Sequence, residues 1–428
     1  MRLPNPVVAV VAVAAVLACA ARPSSTYAPA KLQPIAMPGG GRAVRVALAD
    51  GVPSGDLSAT GPWLLLRGGG TKTLVRGTGR GTWRIARLAG GRLRIANETG
   101  ETATRDGPFV ARTADPNAFL TWNGKRYRGE FEIRAADHGI VVINRLPVED
   151  YIRGVVPLEL GVVSEGELAA LEAQAIAARS YTYTRLGDPD GLRRPYDLVA
   201  TVSDQVYGGV NGESRLGDVA VAQTKNEVIA YAGRVVNAPY FAACGGSTAE
   251  PSEVWRETDV PYLRRVSDQV PGTTDRYYCE GSSKFRWTRT FTGAELATAL
   301  DRYLDHYVPG AARGVGQVRT IAVDALTPSG RVGDLAITTE RSTYRLRGND
   351  IRFVLRSPNG EILNSTYFAV EQTIGPDGHV SALTLRGMGN GHGVGMCQAG
   401  AIGRARAGQD YQTILQTYYP GTTIATVG

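Results

Sequence analysis

Short stretches in which apolar and polar residues alternate occupy the chain from residue 42 to residue 144. They lie at residues 44–48, 63–66, 83–86, 92–95 and 139–143. A two-residue period places every second side chain on one face of a strand, and turn signals such as Asn123-Gly124 separate the stretches. The pattern therefore predicts a small β-rich domain over residues 42–145.

A helical pattern begins after residue 146. The segment Ser164-Glu165-Gly166-Glu167 is a capping-box sequence, in which the serine and the last glutamate satisfy free backbone N–H groups at a helix start. Apolar residues then recur at helical spacing, at positions 168, 171, 175 and 178. Because the residues between them are mostly small, we predict a closely packed helix from Glu165 to about Arg185.

Weaker patterns define the rest of the chain. Helices are predicted over residues 212–224, 293–307, 398–407 and 411–419. Strands are predicted over residues 227–231, 235–243, 317–326, 333–338 and 367–372. Together they predict an α+β fold, in which a domain of mixed helices and antiparallel sheet spans residues 146–428 and carries an α+β insertion at about 285–385.

The composition agrees with this fold and disfavours one class of partner. A chain of 428 residues that is 43% hydrophobic can fill the cores of two or three domains. The formal charge is only +7, and the basic residues are scattered among acidic ones, so no nucleic-acid partner is expected. The excess positive charge fits weak attraction to an anionic cell wall and, equally, an ordinary solvated surface.

The first 21 residues have the features of an export signal. Arg2 is followed by an apolar run over residues 7–17 and then by small residues. The run is shorter than the about 20 residues of a membrane-spanning helix, which favours a cleaved signal. Residues 16–19 also resemble a lipobox ending in Cys19, so a secreted, periplasmic or lipid-anchored protein is expected, with residues 22–41 as a linker. Contact with the membrane is expected only through this signal or lipid.

Four segments concentrate residues that can carry chemistry. They read LPVEDYIRGVVPLE at 146–159, EAQAIAARSY at 172–181, FAACGGST at 241–248 and GHGVGMCQAG at 391–400. All four resemble segments of the SpoIID/LytB family, and their order along the chain is also that of the family. The segments DQVY at 204–207 and YYPGT at 418–422 match further family segments, so the resemblance covers roughly residues 148–422.

The resemblance implies one of two functions in the bacterial cell wall. One is a lytic transglycosylase that cleaves peptidoglycan glycan strands whose stem peptides have been removed. The other is a non-catalytic enhancer of the N-acetylmuramoyl-L-alanine amidases that remove those peptides. The family's catalytic acid corresponds to Glu159. One carboxyl group is enough for non-hydrolytic cleavage, because it can protonate the glycosidic oxygen and then take a proton from the C6 hydroxyl of the sugar.

Two other acidic residues compete with Glu159 for this role. Glu149 and Asp150 are adjacent, and neighbouring side chains on a strand point to opposite faces, which makes them a poor catalytic pair. We expect them to be structural, as an end cap or as partners of Arg153 or Arg179, or to support Glu159. For Glu159 itself the alternative is a carboxylate that caps the helix after Ser164.

Further residues of the matched segments are candidates for contact with a sugar. Amide and guanidinium donors and aromatic rings suit a glycan site, which makes candidates of Gln174, Arg179, Tyr181, Gln205, Tyr207 and Gln398. The alternative for Gln174 and Arg179 is a buried hydrogen-bond network that ties the helix to the sheet. A structural role is likewise the alternative for Gln205 and Tyr207.

The glycine-rich segments supply the remaining candidates, Gly245, Gly246, Ser247 and His392. The glycines allow the backbone to approach a ligand or a neighbouring strand closely. His392 is expected to orient a carboxylate or contact sugar, with a purely structural histidine as the alternative. The G-x-x-x-x-G-K-[ST] spacing of a phosphate-binding loop is missing.

The cysteines leave the question of a metal open. Apart from Cys19 in the signal, the chain has Cys244, Cys279 and Cys397. In an exported protein this odd number favours one disulfide, with Cys244 to Cys279 as the preferred pair, and no cofactor. The three thiolates together with His392 would alternatively form a four-ligand zinc set. A cysteine nucleophile is disfavoured because no base lies beside any of the three in sequence.

Overall fold

The computed structural model describes residues 42–68, 72–100, 102–186, 194–311 and 314–428. The predicted signal over residues 1–21, the linker over 22–41 and the proposed lipid-carrying Cys19 lie outside these ranges. Within them, the helices are all too short or too polar to cross a lipid bilayer.

The first part of the structure is built from antiparallel strands, as the alternating pattern predicts. Their bounds are β1 Ala43–Val52, β2 Ser54–Ala59, β3 Trp63–Arg67, β4 Lys72–Gly77, β5 Trp83–Arg87, β6 Leu93–Asn97, β7 Thr102–Arg105, β8 Phe109–Thr113, β9 Leu120–Trp122, β10 Lys125–Tyr127, β11 Glu130–Ala136 and β12 Gly139–Pro147. The turn between β9 and β10 uses Asn123 and Gly124, both at positive φ, as the hairpin signal requires. Alternate residues such as Trp83 and Ile85 of β5 are buried, because one face of each strand packs on the core.

Two sheets result from these strands. One has six strands in the order β10-β9-β2-β5-β6-β7. The other has seven strands in the order β13-β1-β12-β11-β8-β3-β4, where β13 is the short strand Leu198–Val199 from the later, helical part of the chain. Strand β13 pairs in parallel with β1, and Arg45 of β1 is ion-paired to Asp197 beside it. Strand pairing and an ion pair thus join the β-rich region to the helical region.

The helical region follows β12 directly. It contains α1 Val148–Arg153, α2 Val156–Leu160, α3 Leu168–Arg185 and α4 Arg215–Gln223. The predicted capping box is present: the Ser164 backbone N–H donates to the Glu167 carboxylate, and one 3₁₀ turn leads into α3. Helix α3 is buried along most of its length because its middle consists largely of alanine. The hydrophobic core of the helical region is continuous with that of the β-rich region.

The chain then forms short strands and the final helices. These are β14 Glu227–Tyr231, β15 Arg234–Val235, β16 Tyr240–Phe241, α5 Pro251–Val254, β23 Met396–Cys397, α8 Gln398–Arg406, α9 Tyr411–Tyr418 and β24 Thr423–Thr426. The predicted strand over residues 235–243 is wrong, since only its two ends pair. Pro239 lies between them and lacks an N–H group, and its carbonyl accepts the Met396 N–H. That bond guides β16 into parallel pairing with β23.

The segment over residues 286–388, which contains most of the predicted insertion at about 285–385, has a hydrophobic core of its own. Its elements are β17 Arg286–Thr292, α6 Gly293–Tyr303, β18 Val318–Leu326, β19 Val332–Thr339, β20 Thr343–Arg347, α7 Asp350–Val354, β21 Phe368–Ile374 and β22 Val380–Met388. They form two three-stranded antiparallel sheets, β17-β22-β21 and β18-β19-β20. The predicted α+β fold is therefore confirmed.

Candidate functional site

Glu159 lies in α2, the short helix formed by the GVVPLE segment. Pro157 starts this helix well because its fixed φ suits the first turn, and Gly161 at positive φ ends it. The Glu159 carboxylate accepts the Val206 N–H, with Oε1 and N 2.6 Å apart. Capping of the helix after Ser164 falls instead to Glu167, so the alternative capping role for Glu159 is wrong.

The surroundings of Glu159 favour its protonated form. Burial raises the pKa of its carboxyl above the ordinary value, while hydrogen bonds from the Val206 N–H and the Gln398 side chain act in the opposite direction. The net change in pKa is upward. A glutamic acid with a raised pKa is suited to donating a proton near neutral pH.

The carboxamide of Gln398 connects Glu159 to the long helix. Its Nε2 donates to Oε1 of Gln174 at 3.3 Å, and its side chain also hydrogen-bonds to Glu159. Gln174 is fully buried in α3, and its own Nε2 has no hydrogen-bond partner among the described residues. A buried amide donor without a partner is costly, so this N–H is available to a polar group that enters beside Gln398.

Tyr240, which the sequence reasoning missed, is the aromatic residue of this site. Its hydroxyl accepts a hydrogen bond from Nε2 of Gln205 at 2.8 Å and lies close enough to Glu159 for the carboxylate charge to raise the Tyr240 pKa further, after burial. The phenol therefore stays protonated and can donate a hydrogen bond. The available signal was its position directly before the FAACGGST segment.

Gln205 lies in the interior behind Tyr240. Its side chain is fully buried: Oε1 accepts from the Tyr151 hydroxyl, and Nε2 donates to Tyr240 and to the Ala178 carbonyl. Because both ends of the amide are occupied, this geometry favours the structural alternative for Gln205 over contact with sugar. It holds the Tyr240 ring in place.

Arg179 and Tyr207 are also held in buried contacts, which favour their structural alternative over contact with sugar. Arg179 has no solvent exposure, and its guanidinium donates to both carboxylate oxygens of Glu149 at 2.8 Å. Tyr207 is buried, and its hydroxyl donates to Asn144. The structure therefore bears out the alternative reading of Arg179, a buried network that ties α3 to its neighbours.

Glu149 and Asp150 lie in helix α1, so the strand geometry used to separate them was wrong. Pro147 precedes the helix, and acidic residues in its first turn are stabilised by the helix dipole. Their expected structural role is nevertheless present: Glu149 pairs with Arg179, and Asp150 lies 3.8 Å from Arg153.

Tyr181 remains close to the site but is partly covered. The Arg185 guanidinium lies over its ring at 3.7 Å, and its hydroxyl donates to Asp204. The covered face is not free for stacking on a pyranose ring, so only the other face or the ring edge could contact sugar.

The glycine-rich segments bring backbone against backbone. A Cβ at Gly245 would lie 2.8 Å from Cβ of Met388, and both Gly245 and Gly246 have positive φ. The Ser247 hydroxyl donates to the adjacent Thr248 carbonyl. Close approach of a neighbouring chain segment accounts for Gly245, and the positive φ accounts for Gly246.

His392 supports Tyr240 from the other side. Its Nδ1 accepts the Val394 N–H, so Nε2 carries the proton and donates to the Tyr240 carbonyl at 2.9 Å. Burial lowers the pKa of His392 to about 3, which keeps the ring neutral. Because both ring nitrogens are bonded to backbone, the geometry favours the structural alternative for His392 over a sugar or carboxylate contact. His392 fixes the backbone that carries Tyr240.

The three cysteines meet in one buried cluster. The Sγ atoms of Cys244 and Cys279 are 3.4 Å apart, and all three cysteines are free thiols, so the preferred disulfide is not formed. The fourth member of the cluster is Asp268, whose Oδ2 lies 3.4 Å from Sγ of Cys244. The zinc set predicted with His392 is therefore wrong in that residue, because both nitrogens of His392 are bonded elsewhere.

Comparison with known proteins places the site within a described family. A family model described as Stage II sporulation protein (SpoIID) matches residues 136–231, which include Glu159, Gln174 and Gln205. A second, described as Domain of unknown function (DUF8618), matches residues 272–395 and covers the insertion.

Three curated proteins illustrate the similarity. An uncharacterized protein of Brachyspira hyodysenteriae is 32% identical over 306 residues, which are 71% of this chain and 74% of that protein. The amidase enhancer of Bacillus subtilis is 29% identical over 397 residues, 84% of this chain and 50% of the enhancer. Stage II sporulation protein D of Bacillus subtilis is 29% identical over 296 residues, 66% of this chain and 76% of that protein. The chain therefore belongs to the SpoIID/LytB family.

Proposed function

We propose that this protein is an exported lytic transglycosylase that cleaves peptide-free glycan strands of peptidoglycan between N-acetylmuramic acid and N-acetylglucosamine. The observation that carries the proposal is the environment of Glu159: a single carboxyl with a raised pKa, close to the protonated phenol of Tyr240 and hydrogen-bonded by Gln398. That arrangement suits a group that must first donate a proton and then accept one.

In this mechanism the carboxyl of Glu159 protonates the glycosidic oxygen, and the bond from that oxygen to C1 of the muramic acid breaks. The C6 hydroxyl of the same sugar then attacks C1, and the Glu159 carboxylate takes the hydroxyl proton. The products are a free hydroxyl on the leaving sugar and a 1,6-anhydro end, and Glu159 returns to its protonated state. No water is consumed, so a second carboxylate is not needed to activate one.

The neighbouring acids support this use of one carboxyl. Glu149 is committed to Arg179, and Asp150 lies near Arg153. Within the described residues, the pKa of Glu159 is shifted by burial and by hydrogen bonds from Val206 and Gln398. A usual hydrolytic pair would place a second carboxylate within about 5–9.5 Å, where its charge would raise that pKa further.

The expected location and partners follow from the substrate. Glycan strands lie outside the cytoplasmic membrane, and relatives are named as an amidase enhancer and a stage II sporulation protein. We therefore infer an extracytoplasmic protein whose partner is the glycan strand, with a lipid anchor at Cys19 as one form of attachment.

The substrate test compares two purified glycans. The full chain should release anhydro products from strands stripped of stem peptides and little product from strands that keep them, because the proposal assigns it to peptide-free glycan. Equal release from both substrates would contradict this specificity, and no release from either would contradict the enzymatic function.

A second candidate is an enhancer of a cell-wall amidase. It is favoured by the similarity to the amidase enhancer, which extends over 84% of this chain. In that case the protein should accelerate an N-acetylmuramoyl-L-alanine amidase on intact peptidoglycan, and the acceleration should survive Glu159→Gln. Loss of acceleration in that variant, together with loss of cleavage, would favour the transglycosylase.

The pH dependence of cleavage should respond to Gln398. Because kcat/KM requires protonated Glu159, it should fall as pH rises through the pKa of this carboxyl. The bond from Gln398 lowers that pKa. Gln398→Met removes the bond, so the pKa should rise and the alkaline limb of the kcat/KM profile should move to higher pH.

The matched control for this experiment is Gln223→Met, which changes an exposed glutamine at the end of α4. Its pH profile should coincide with that of the wild type. An unchanged or acid-shifted limb in Gln398→Met would show that Glu159 does not set the profile.

A further inference from the structure

The buried cluster of Cys244, Cys279, Cys397 and Asp268 plays no part in the proposed glycan chemistry. Its members come from four separate places: the loop after β16, two positions in the segment between α5 and β17, and the residue before α8. One ligand atom from each lies within 4.8 Å of the others, and all four residues are buried. The fold therefore brings potential metal-binding atoms from four positions of the chain close together.

The spacing and chemistry of these atoms suit one small thiophilic ion. In a tetrahedral zinc site with Zn–S distances of about 2.3 Å, neighbouring sulfurs are about 3.8 Å apart. Here Sγ of Cys244 lies 3.4 Å from Sγ of Cys279 and 3.4 Å from Oδ2 of Asp268. Three sulfurs and one carboxylate oxygen form a donor set that zinc accepts.

The groups around the cluster orient Asp268 as a ligand. Its Oδ1 accepts the Tyr418 hydroxyl at 2.7 Å and the Arg404 guanidinium at 3.1 Å, while Oδ2 faces the sulfur of Cys244. A Cβ at Gly400 would lie 2.2 Å from Oδ2 of Asp268, so only glycine leaves room for this carboxylate. Outer hydrogen bonds of this kind are typical of metal ligands.

Backbone N–H groups point at the sulfurs. Sγ of Cys397 accepts from the N–H groups of Cys244 and Gly400, at 3.1 and 3.3 Å, and Sγ of Cys244 accepts from Gly246 at 3.4 Å. Cys397 also caps the N-terminus of α8 through its sulfur. Donors directed at sulfur stabilise thiolates, which is the form that binds a metal.

Two buried arginines offset the negative charge that such a site carries. Three thiolates and a carboxylate exceed the charge of a divalent ion, and Arg404 contacts Asp268 directly. Arg331 reaches in from the insertion, where its Nη2 donates to the carbonyls of Cys244 and Ser247. Its Nη1 is buried without a hydrogen-bond partner among the described residues.

We propose that Cys244, Cys279, Cys397 and Asp268 bind one structural zinc ion. The ion joins the CGGST loop, the segment before the insertion and the start of α8. Because Cys397 directly precedes Gln398, the ion also fixes the residue that hydrogen-bonds to Glu159. The site is closed by four protein ligands, so its role is structural and separate from proton transfer.

Metal analysis of the full chain tests this proposal. Protein produced with zinc present should carry one zinc per chain in elemental analysis. Native mass spectrometry should show the mass of one zinc with no loss of hydrogen from a disulfide. Replacement by Co²⁺ should give thiolate-to-cobalt charge-transfer absorption and the intense visible bands of a tetrahedral ion.

Variants identify the ligands. Cys279→Ser and Asp268→Asn should each lower zinc affinity at least about 10–100-fold, the range found for loss of an outer-shell partner. His392→Gln is the matched control, because this histidine lies in the neighbouring glycine-rich segment but outside the cluster, and it should keep one zinc per chain.

Three results would overturn the proposal. One is wild-type protein that binds neither zinc nor cobalt while its thiols are reduced. Another is a Cys244–Cys279 disulfide as the stable form of the exported protein. The third is loss of zinc in His392→Gln but not in Asp268→Asn. The wild-type measurements decide the question even if a variant fails to fold.

Discussion

Glu159→Gln should reduce glycan cleavage by about 10²–10⁴-fold, the usual contribution of a positioned general acid. The amide has the shape of the acid and can still accept the Val206 N–H, but it has no proton of suitable acidity to give to the glycosidic oxygen. Initial rates of anhydro-product release from peptide-free glycan measure the loss. Binding of the same glycan to the variant should be retained, since no contact is removed.

The matched control is Glu165→Gln. Glu165 lies six residues further along the chain, its side chain is 77% exposed and its partner is the exposed Arg215. Its cleavage rate should equal that of the wild type. If Glu159→Gln retained the wild-type cleavage rate, Glu159 would not be the general acid.

Arg179→Met should destabilise the fold by about 3 kcal/mol, because breaking a buried ion pair leaves one charge without compensation. Arg179 is completely buried, whereas the side chain of Glu149 is 23% exposed. Because water can partly solvate the Glu149 carboxylate once Arg179 is removed, we expect a loss at the lower end of the usual range. Urea unfolding followed by circular dichroism measures the change in the free energy of unfolding.

Arg215→Met provides the comparison, since it breaks an arginine–glutamate pair of similar length at the surface. Its side chains are 73% and 77% exposed, so the loss should be under about 1 kcal/mol. Similar losses in the two variants would show that Arg179 does not serve as the buried tie between α3 and α1.

The elements with strong local signals were predictable from the sequence. The capping box at Ser164 and the apolar spacing after it gave helix α3 nearly to its ends. The alternation of apolar and polar residues predicted the β-rich region. Strands β17, β20 and β22 were missed, and β20 shows why: Arg345 and Arg347 occupy its exposed face, so only Tyr344 and Leu346 are buried. Two apolar positions are too few to define a strand.

The site was predictable in its segments but less so in the roles of single residues. The sequence left Arg179 open between a sugar contact and a buried network, and the small residues of α3 bury its guanidinium completely. Gln205 and His392 were likewise open between contact with the ligand and a structural role, and the structure uses them to hold Tyr240. Whether a residue faces the ligand or supports another residue that does so depends on tertiary packing. No local sequence pattern encodes this difference.

The cysteine cluster shows the same limit. The odd number of cysteines pointed to either a disulfide or a metal, but the fourth member could not be read from spacing. Asp268 lies in a stretch with no periodic pattern, and it reaches the sulfurs because Gly400 and Tyr418 shape the space around it. Contacts over 130 residues or more, such as that of Arg404 with Asp268, are set by the fold.

The central claim, that Glu159 cleaves glycan without water, is tested most directly by the mass of the product. Peptide-free strands whose original reducing ends have been reduced chemically would be cleaved in water enriched in a heavy oxygen isotope. We predict that wild-type protein releases fragments one water lighter than hydrolytic products and free of the heavy isotope, and that Glu159→Gln releases almost none. Fragments that carry the isotope at a new reducing end would contradict the account.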